Sequence, residues 1–343
     1  MKNKSTLALM ALAVVLVPVI AQAQFATPTD NFNNNGTRAA QFLKMAVGSR
    51  ASAMGESFAA VANDASALFW NPAGIGNLQN LEVHLTHVDY LLDVSFEYAG
   101  LVIPMSTGRL GFSAAVLSMN DEHVTTLDDP DAEIGTTWSA SSFAIGMTYS
   151  RALSDRFSVG VTGKYIQEGI YNSSANTFAI DIGSLYDTGI SGIKIGMAMT
   201  NFGGKMKLGG RDLTQKDVDP DPTRGGNAGQ SADLLVSSWP LPLNFRVGLS
   251  YELFKSESNA LLLAADFNHP TDADERINLG AEYTLAKRIF LRGGYKFNYE
   301  EESFTAGGGL NVPITNYNLM IDYAFQEFGL LGETHRFSLG FRL

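Results

Sequence analysis

Beyond Leu81, apolar residues recur at every second position, and the pattern holds to Leu343. Leu110, Phe112, Ala114 and Val116 alternate with Gly111, Ser113 and Ala115, and Val94, Phe96, Tyr98 and Val102 with Ser95, Glu97 and Ala99. Phe143 to Tyr149, Phe178 to Ile182, Leu243 to Tyr251 and Phe337 to Leu343 follow the same rule. A period of two places successive side chains on opposite faces, so each set predicts a strand. Counted from the stretch Leu81 to Tyr90, there are about fourteen, each near the ~9–11 residues a tilted strand needs to cross a bilayer. An even number of membrane-length strands predicts a closed, antiparallel outer-membrane β-barrel, because only closure satisfies every backbone N–H and C=O in hydrocarbon. A soluble β-sandwich would alternate too, but here the second parity is rich in Gly, Ser and Thr, as a lumen is, and the chain stops on an alternating strand.

The first 80 residues are different. Lys2 and Lys4 precede an uncharged run from Leu7 to Ala21, and Ala21-Gln22-Ala23 offers the small-x-small pattern of a cleavage site, so residues 1–23 read as a secretory signal peptide. Residues 24–37 form a polar, Asn-rich leader. Residues 38–80 read as helical and turn-rich, with Ala51, Ala53, Met54, Phe58, Ala59, Val61 and Ala62 grouped at helical spacings. Asp64 is placed to cap a short helix carrying Leu68, Phe69 and Trp70 that ends before Pro72. Preceding the barrel at 81–343 without a core of its own, this segment is the expected plug, or hatch, of the lumen.

Connection lengths sort by side. With both termini periplasmic, every second connection is external, and the two longest, Met119 to Trp138 and Asn201 to Pro240, both fall there. The inward parity then carries Glu97, Asp181, Glu252, Asp266, Glu282 and Asp322 against Lys164, Lys194, Arg246, Arg292, Lys296, Arg336 and Arg342, a nearly neutral set. Such a mixture predicts ion-pair networks around a plug rather than a selective open pore.

Composition narrows the function. The 343 residues are 45% hydrophobic and contain no Cys, which excludes disorder, a disulfide scaffold and thiolate chemistry. A formal charge of −11, or −13 once Lys2 and Lys4 leave with the signal, speaks against nucleic acid as a partner. No G-x-S-x-G or H-E-x-x-H pattern occurs, and His84 and His87, three residues apart, belong on opposite strand faces, so neither an enzyme nor a metal centre is expected. Asp217-Val218-Asp219-Pro220-Asp221 resembles the start of a calcium loop, but Pro222 replaces the required glycine, which leaves a solvated acidic loop. No cofactor is implied.

Gly48-Ser49-Arg50-Ala51-Ser52-Ala53-Met54-Gly55, Phe58-Ala59-Ala60-Val61-Ala62 and Asp64-Ala65-Ser66-Ala67-Leu68-Phe69-Trp70-Asn71-Pro72-Ala73-Gly74, with the late strands at Gly280-Ala281-Glu282-Tyr283 and Leu291-Arg292-Gly293-Gly294-Tyr295, resemble the PorV/PorQ family of outer-membrane proteins. The Asn71-Pro72-Ala73 element is shared with the wider FadL-like group of fourteen-stranded barrels, in which an amino-terminal hatch fills the lumen. The resemblance implies residence in the outer membrane of a Gram-negative bacterium, in contact with its lipid. It also implies a part in type IX secretion, where family members bind a large translocon barrel and receive secreted cargo proteins. The FadL-like alternative is a transporter of hydrophobic small molecules. Arg50, Met54, Gly55, Asp64, Trp70 and Asn71 to Gly74 are the expected plug residues, and Arg246, Asp266, Glu282 and Arg292 the expected lumen charges.

Overall fold

The computed structural model describes residues 34–90, 94–127, 129–133, 135–215, 231–315 and 317–343. The signal peptide, most of the polar leader and the Asp217 to Asp221 cluster lie outside the described residues. Fourteen alternating segments form the wall: β1 (Glu82–Asp89), β2 (Val94–Pro104), β3 (Arg109–Met119), β4 (Ala140–Ser154), β5 (Phe157–Ile170), β6 (Ser173–Asp187), β7 (Ile193–Gly203), β8 (Asn244–Lys255), β9 (Ala260–Pro270), β10 (Arg276–Leu285), β11 (Ile289–Phe297), β12 (Phe304–Ile314), β13 (Tyr317–Glu327) and β14 (Glu333–Arg342). Each pairs antiparallel with its neighbours in the chain, and β14 closes the ring onto β1 through Val83 opposite Phe341 and Leu85 opposite Leu339. The closed ring is an outer-membrane β-barrel with no free edge among these strands. No helix among the described residues is long and apolar enough to cross a membrane.

Side chains sort by parity, as the alternation requires. Phe112, Ile145, Met147, Phe178, Phe245 and Leu279 point outward and stay exposed, while Thr148, Asp181, Asp266, Asn278 and Arg292 point inward and are buried. Outward aromatic residues stand near both ends of the strands, Tyr295, Phe297 and Phe304 at one and Tyr149, Tyr186 and Phe254 at the other, the girdles expected at two membrane interfaces. The connections spanning residues 120–139 and 204–243 leave the same end and carry short ribbons of their own, such as Glu122–His123 with Thr137–Trp138. Arg in place of Phe112 or Leu279 is expected to lower barrel stability by ~2–4 kcal/mol if the position lies at mid-bilayer, and by less toward an interface. Urea titration of refolding into lipid vesicles checks this, with an unchanged midpoint refuting the lipid-facing assignment.

One strand departs from the sequence reading. In β2 the apolar set Phe96, Tyr98 and Val102 faces inward and is buried, so Glu97, expected in the lumen, points outward beside His87 (2.5 Å). The reason is local: Phe42, Leu43 and Phe69 of the amino-terminal segment cover the inner face of β2. That stretch of wall is therefore apolar inside.

The amino-terminal segment lies on the inner face of the barrel. It holds short turns of helix, α1 (Ser49–Ala53) and α2 (Ala67–Trp70), with 3-10 turns at Gln41–Lys44 and Pro72–Asn77. The helical reading of Ala51 to Ala62 is thus too long. Gly55 (φ 62°) and Glu56 (φ 64°) turn the chain out of the helix. Beyond them the Phe58 and Ala59 N–H groups donate to Asp266 of the wall (2.9 and 2.8 Å) instead of to a preceding helical turn. Asp64 holds the turn before α2 by accepting from the Ser66 N–H at 2.9 Å.

Candidate functional site

The segment can lie this close to the wall because the inward parity supplies glycines where it touches. A Cβ at Gly294 would fall on the Gly55 nitrogen, one at Gly280 on the Met54 carbonyl, one at Gly196 on the Ala59 carbonyl and one at Gly160 on the Pro72 carbonyl. Met54 is fully buried, and Gly55 is fixed from both sides: its N–H donates to Thr305 Oγ1 (3.0 Å) and its carbonyl accepts from Asn278 Nδ2 (2.6 Å). Main chain rests on main chain here, so a glycine substitution cannot be absorbed by a rotamer change.

Arg50 ties the segment to this seat. Its Nε and Nη2 donate to the two oxygens of Glu282 at 2.8 and 2.9 Å, and Nη1 donates to Asp64 at 3.0 Å and to Asn63 at 2.6 Å. Glu282 also accepts from Arg292 Nε (2.7 Å), whose Nη1 donates to Asp322 (2.5 Å), so a chain of alternating charge runs from the segment into three strands. Burial alone would raise the Asp64 carboxyl, but the Arg50 charge and the Ser66 hydrogen bonds hold it below the ordinary aspartate value. Burial likewise works against the Arg50 guanidinium, and the facing Glu282 and Asp64 more than offset it, leaving its pKa above the ordinary arginine value.

The aromatic element seats the other half. Trp70 is buried, donates from Nε1 to the Val47 carbonyl (2.8 Å), and lies beneath the guanidinium of Arg246, whose Cζ is 4.6 Å from the ring centroid. Asn71 stitches the turn to the wall: Nδ2 donates to the carbonyls of Ala59 (2.8 Å) and Ser184 (3.0 Å), and Oδ1 accepts the Ala73 N–H (3.1 Å). Pro72 then opens the 3-10 turn with its φ preset. Gly74 has no room for a side chain, since a Cβ would sit 2.5 Å from the Ala62 carbonyl. These four residues form a joint between two stretches of the segment and strands β5 and β6.

Toward the end that carries the long connections, the interior widens into a cavity of about 480 Å³. Along its lining Lys296 pairs with Glu56 (2.6 Å) and with Glu302, while Lys44 pairs with Asp272 (2.9 Å). Burial alone would raise the Glu56 carboxyl, but Lys296, with smaller contributions from Arg336 and Arg246, holds it below the ordinary glutamate value. Near β2 a second, apolar void measures about 20 Å³, room for roughly one water.

The expected plug residues, Arg50 to Gly74 on the segment, and Arg246, Asp266, Glu282 and Arg292 on the wall thus lie along one interface, whereas Glu97 does not. The histidine pair divides as expected: His84 is buried and bonds Thr86 (3.0 Å), whereas His87 is half-buried on the outer face. Missed in the sequence were Glu56, Asn278, Thr305 and Ser338, the last bonding both the Ser49 N–H (2.8 Å) and Thr86 (3.0 Å). For the last three the signal was present only as polar residues on the inward parity, and Glu56, on the segment, had none. Glycines at that parity on successive strands were the better clue to where a backbone would lie.

Comparison with known proteins completes this picture. The family described as type IX secretion system protein PorV matches residues 28–274. The crystal structure of the Pseudomonas putida toluene transporter TodX is similar at a TM-score of 0.56 and 12% identity, covering 86% of this chain and 97% of TodX. The CymD monoaromatic hydrocarbon channel is similar at a TM-score of 0.50 and 12% identity, covering 86% of this chain and 96% of CymD. At such identities the likeness is one of fold, the FadL-like fourteen-stranded barrel. No curated protein matches the chain. With more than half of its length matched and its barrel of the same architecture, this chain belongs to the PorV family of outer-membrane β-barrels.

Proposed function

We propose that this protein is a docking component of type IX secretion, in which a barrel sealed by its amino-terminal plug presents external loops to a large translocon barrel and to secreted cargo. The observation that supports this most is the charged, hydrogen-bonded interface between segment and wall, from Arg50 and Glu282 through Arg292 to Asp322. A greasy molecule moving along it would have to pass desolvated ion pairs, which is costly. A docking protein needs only the stable support. Family membership implies the outer membrane of a Gram-negative bacterium as the location and its lipid as the surround. The alternative, a FadL-like transporter of hydrophobic small molecules, would need a continuous apolar path, and the apolar void beside β2 has room for about one water.

The test is affinity capture of the tagged protein from detergent-solubilised outer membrane. Wild type is expected to bring down a very large barrel and secreted cargo. Shortening the connections at 120–139 and 204–243 to tight turns is expected to abolish that recovery while leaving the heat-dependent gel mobility of a folded barrel intact. Should the shortened protein keep all its partners, or should the purified protein in liposomes take up a hydrophobic tracer at a rate that depends on Asn71-Pro72-Ala73, the transporter reading replaces this one.

A further inference from the structure

Three guanidiniums line the 480 Å³ cavity without an ion pair within 4 Å among the described residues, although Glu56 lies near two of them, Arg246 and Arg336. Its lysines are all matched: Lys44 to Asp272, Lys164 to Asp181 (2.6 Å) and Lys296 to Glu56 and Glu302. Arg246, Arg276 and Arg336 are not. Arg246 donates Nε to the neutral Asn268 (2.6 Å) and stacks on Trp70. Arg276 stacks on Tyr299 at 4.2 Å from the ring centroid, and its buried Nε has no hydrogen-bond partner among the described residues. Arg336 is 2% exposed, donates Nη1 to the neutral Gln326, and leaves its own buried Nε without a partner.

Two of the three sit at one level of the wall. Arg246 of β8 faces Asn268 of β9, and Asn268 faces Arg276 of β10, so the two arginine Cα atoms are two strand spacings, about 10 Å, apart. Long side chains from such positions can converge on one group. A guanidinium with no carboxylate in direct contact keeps donors free, and an oxyanion that accepts from its fork restores what desolvation removed. The rest of the lining is partly apolar, with Met45, Phe69, Pro270 and Phe328. Glu56 and Glu302 also face the cavity, and Glu300 and Glu301 stand exposed at its mouth. These acids disfavour a dianion against a monoanion.

We propose that this cavity binds a small organic carboxylate, its anion held by Arg246 and Arg276 and its apolar body against the Phe69 and Phe328 side. The site goes beyond the docking role and stands without it, because it uses the inner wall and not the long loops.

Equilibrium dialysis of purified, detergent-solubilised protein tests it, with radiolabelled benzoate, phenyl phosphate and benzyl alcohol as probes and empty micelles as the blank. Benzoate is expected to bind saturably at about one per barrel and to weaken with added salt, phenyl phosphate to bind more weakly, and benzyl alcohol to partition as into empty micelles. Arg276→Gln and Arg246→Gln are each expected to weaken benzoate about tenfold, the scale of one charge-assisted contact. Lys255→Gln, exposed at the opposite end of β8, is expected to leave binding within about twofold. Heat-dependent gel mobility shows which variants fold, and if Arg246→Gln, whose guanidinium also stacks on Trp70, does not, the half-buried Arg276 decides. Benzoate that does not saturate, or that binds equally to folded Arg276→Gln, overturns the site. Phenyl phosphate binding tighter than benzoate overturns the choice of a carboxylate.

Discussion

Arg50→Ala should destabilise the protein by about 3 kcal/mol and raise single-channel conductance, because it removes the central cation from an interface that is dry on both sides. The side chains of Arg50 and Glu282 retain 13% and 7% of their exposure, so water cannot replace the lost partner well. Glu282 keeps Arg292, which is why the expectation lies at the low end of the ~3–5 kcal/mol for breaking a buried pair. Asp64 loses its only ion-pair partner among the described residues. Arg50→Lys restores the charge but not the two-pronged contact with Glu282, so an intermediate value is expected. A sign follows for pH. The Asp64 carboxyl is held below its ordinary value in the folded protein, so its contribution is present above the ordinary aspartate pKa of about 3.9 and disappears as pH falls through the depressed value. The gap between wild type and Arg50→Ala should therefore be widest near neutral pH and shrink on acidification. Unfolding midpoints at pH 7 and pH 3, with conductance in planar bilayers, check both statements. Equal stability and equal conductance at neutral pH would show that Arg50 does not anchor the segment.

A valine at Gly294 should be worse still, although valine is a good strand residue and local propensity alone would favour it. Its Cβ would fall on the Gly55 nitrogen with the Met54 carbonyl carbon behind, and both belong to main chain fixed by Thr305 and Asn278. Overpacking of a well-fitted core costs about 1–3 kcal/mol when side chains can adjust, and here none can. The expected outcome is loss of the compact, heat-sensitive gel form, or a folded barrel with the segment expelled and high conductance. Gly163→Val is the control: the same substitution in β5, on an exposed position with no atom within 4 Å of the new Cβ, should be tolerated. If Gly294→Val behaves like the control, the segment does not rest on the wall as described.

These residues also show how much could be read before folding. The period of two, sustained from Leu81 to Leu343, determined the strands, their number and the closure of the barrel, because hydrocarbon leaves the backbone no other way to satisfy its hydrogen bonds. Loop lengths determined which connections share an end. Motif residues from Arg50 to Gly74 marked the segment that the wall would have to accommodate. Alternation alone, however, does not say which parity faces in. On most strands the apolar set faces outward, but on β2 it faces inward, because Phe42, Leu43 and Phe69 cover that stretch, and Glu97 moves to the outside as a consequence. Which charges pair was equally out of reach: Glu56 meets Lys296 and Arg50 meets Glu282 across more than two hundred residues of chain. The same holds for the guanidiniums of Arg246, Arg276 and Arg336, which line one cavity without a direct ion pair among the described residues. Strand periodicity is a local property of the backbone and could be read from the sequence, whereas ion pairing depends on distances of a few ångströms between remote residues, which only the closed barrel and the segment inside it decide.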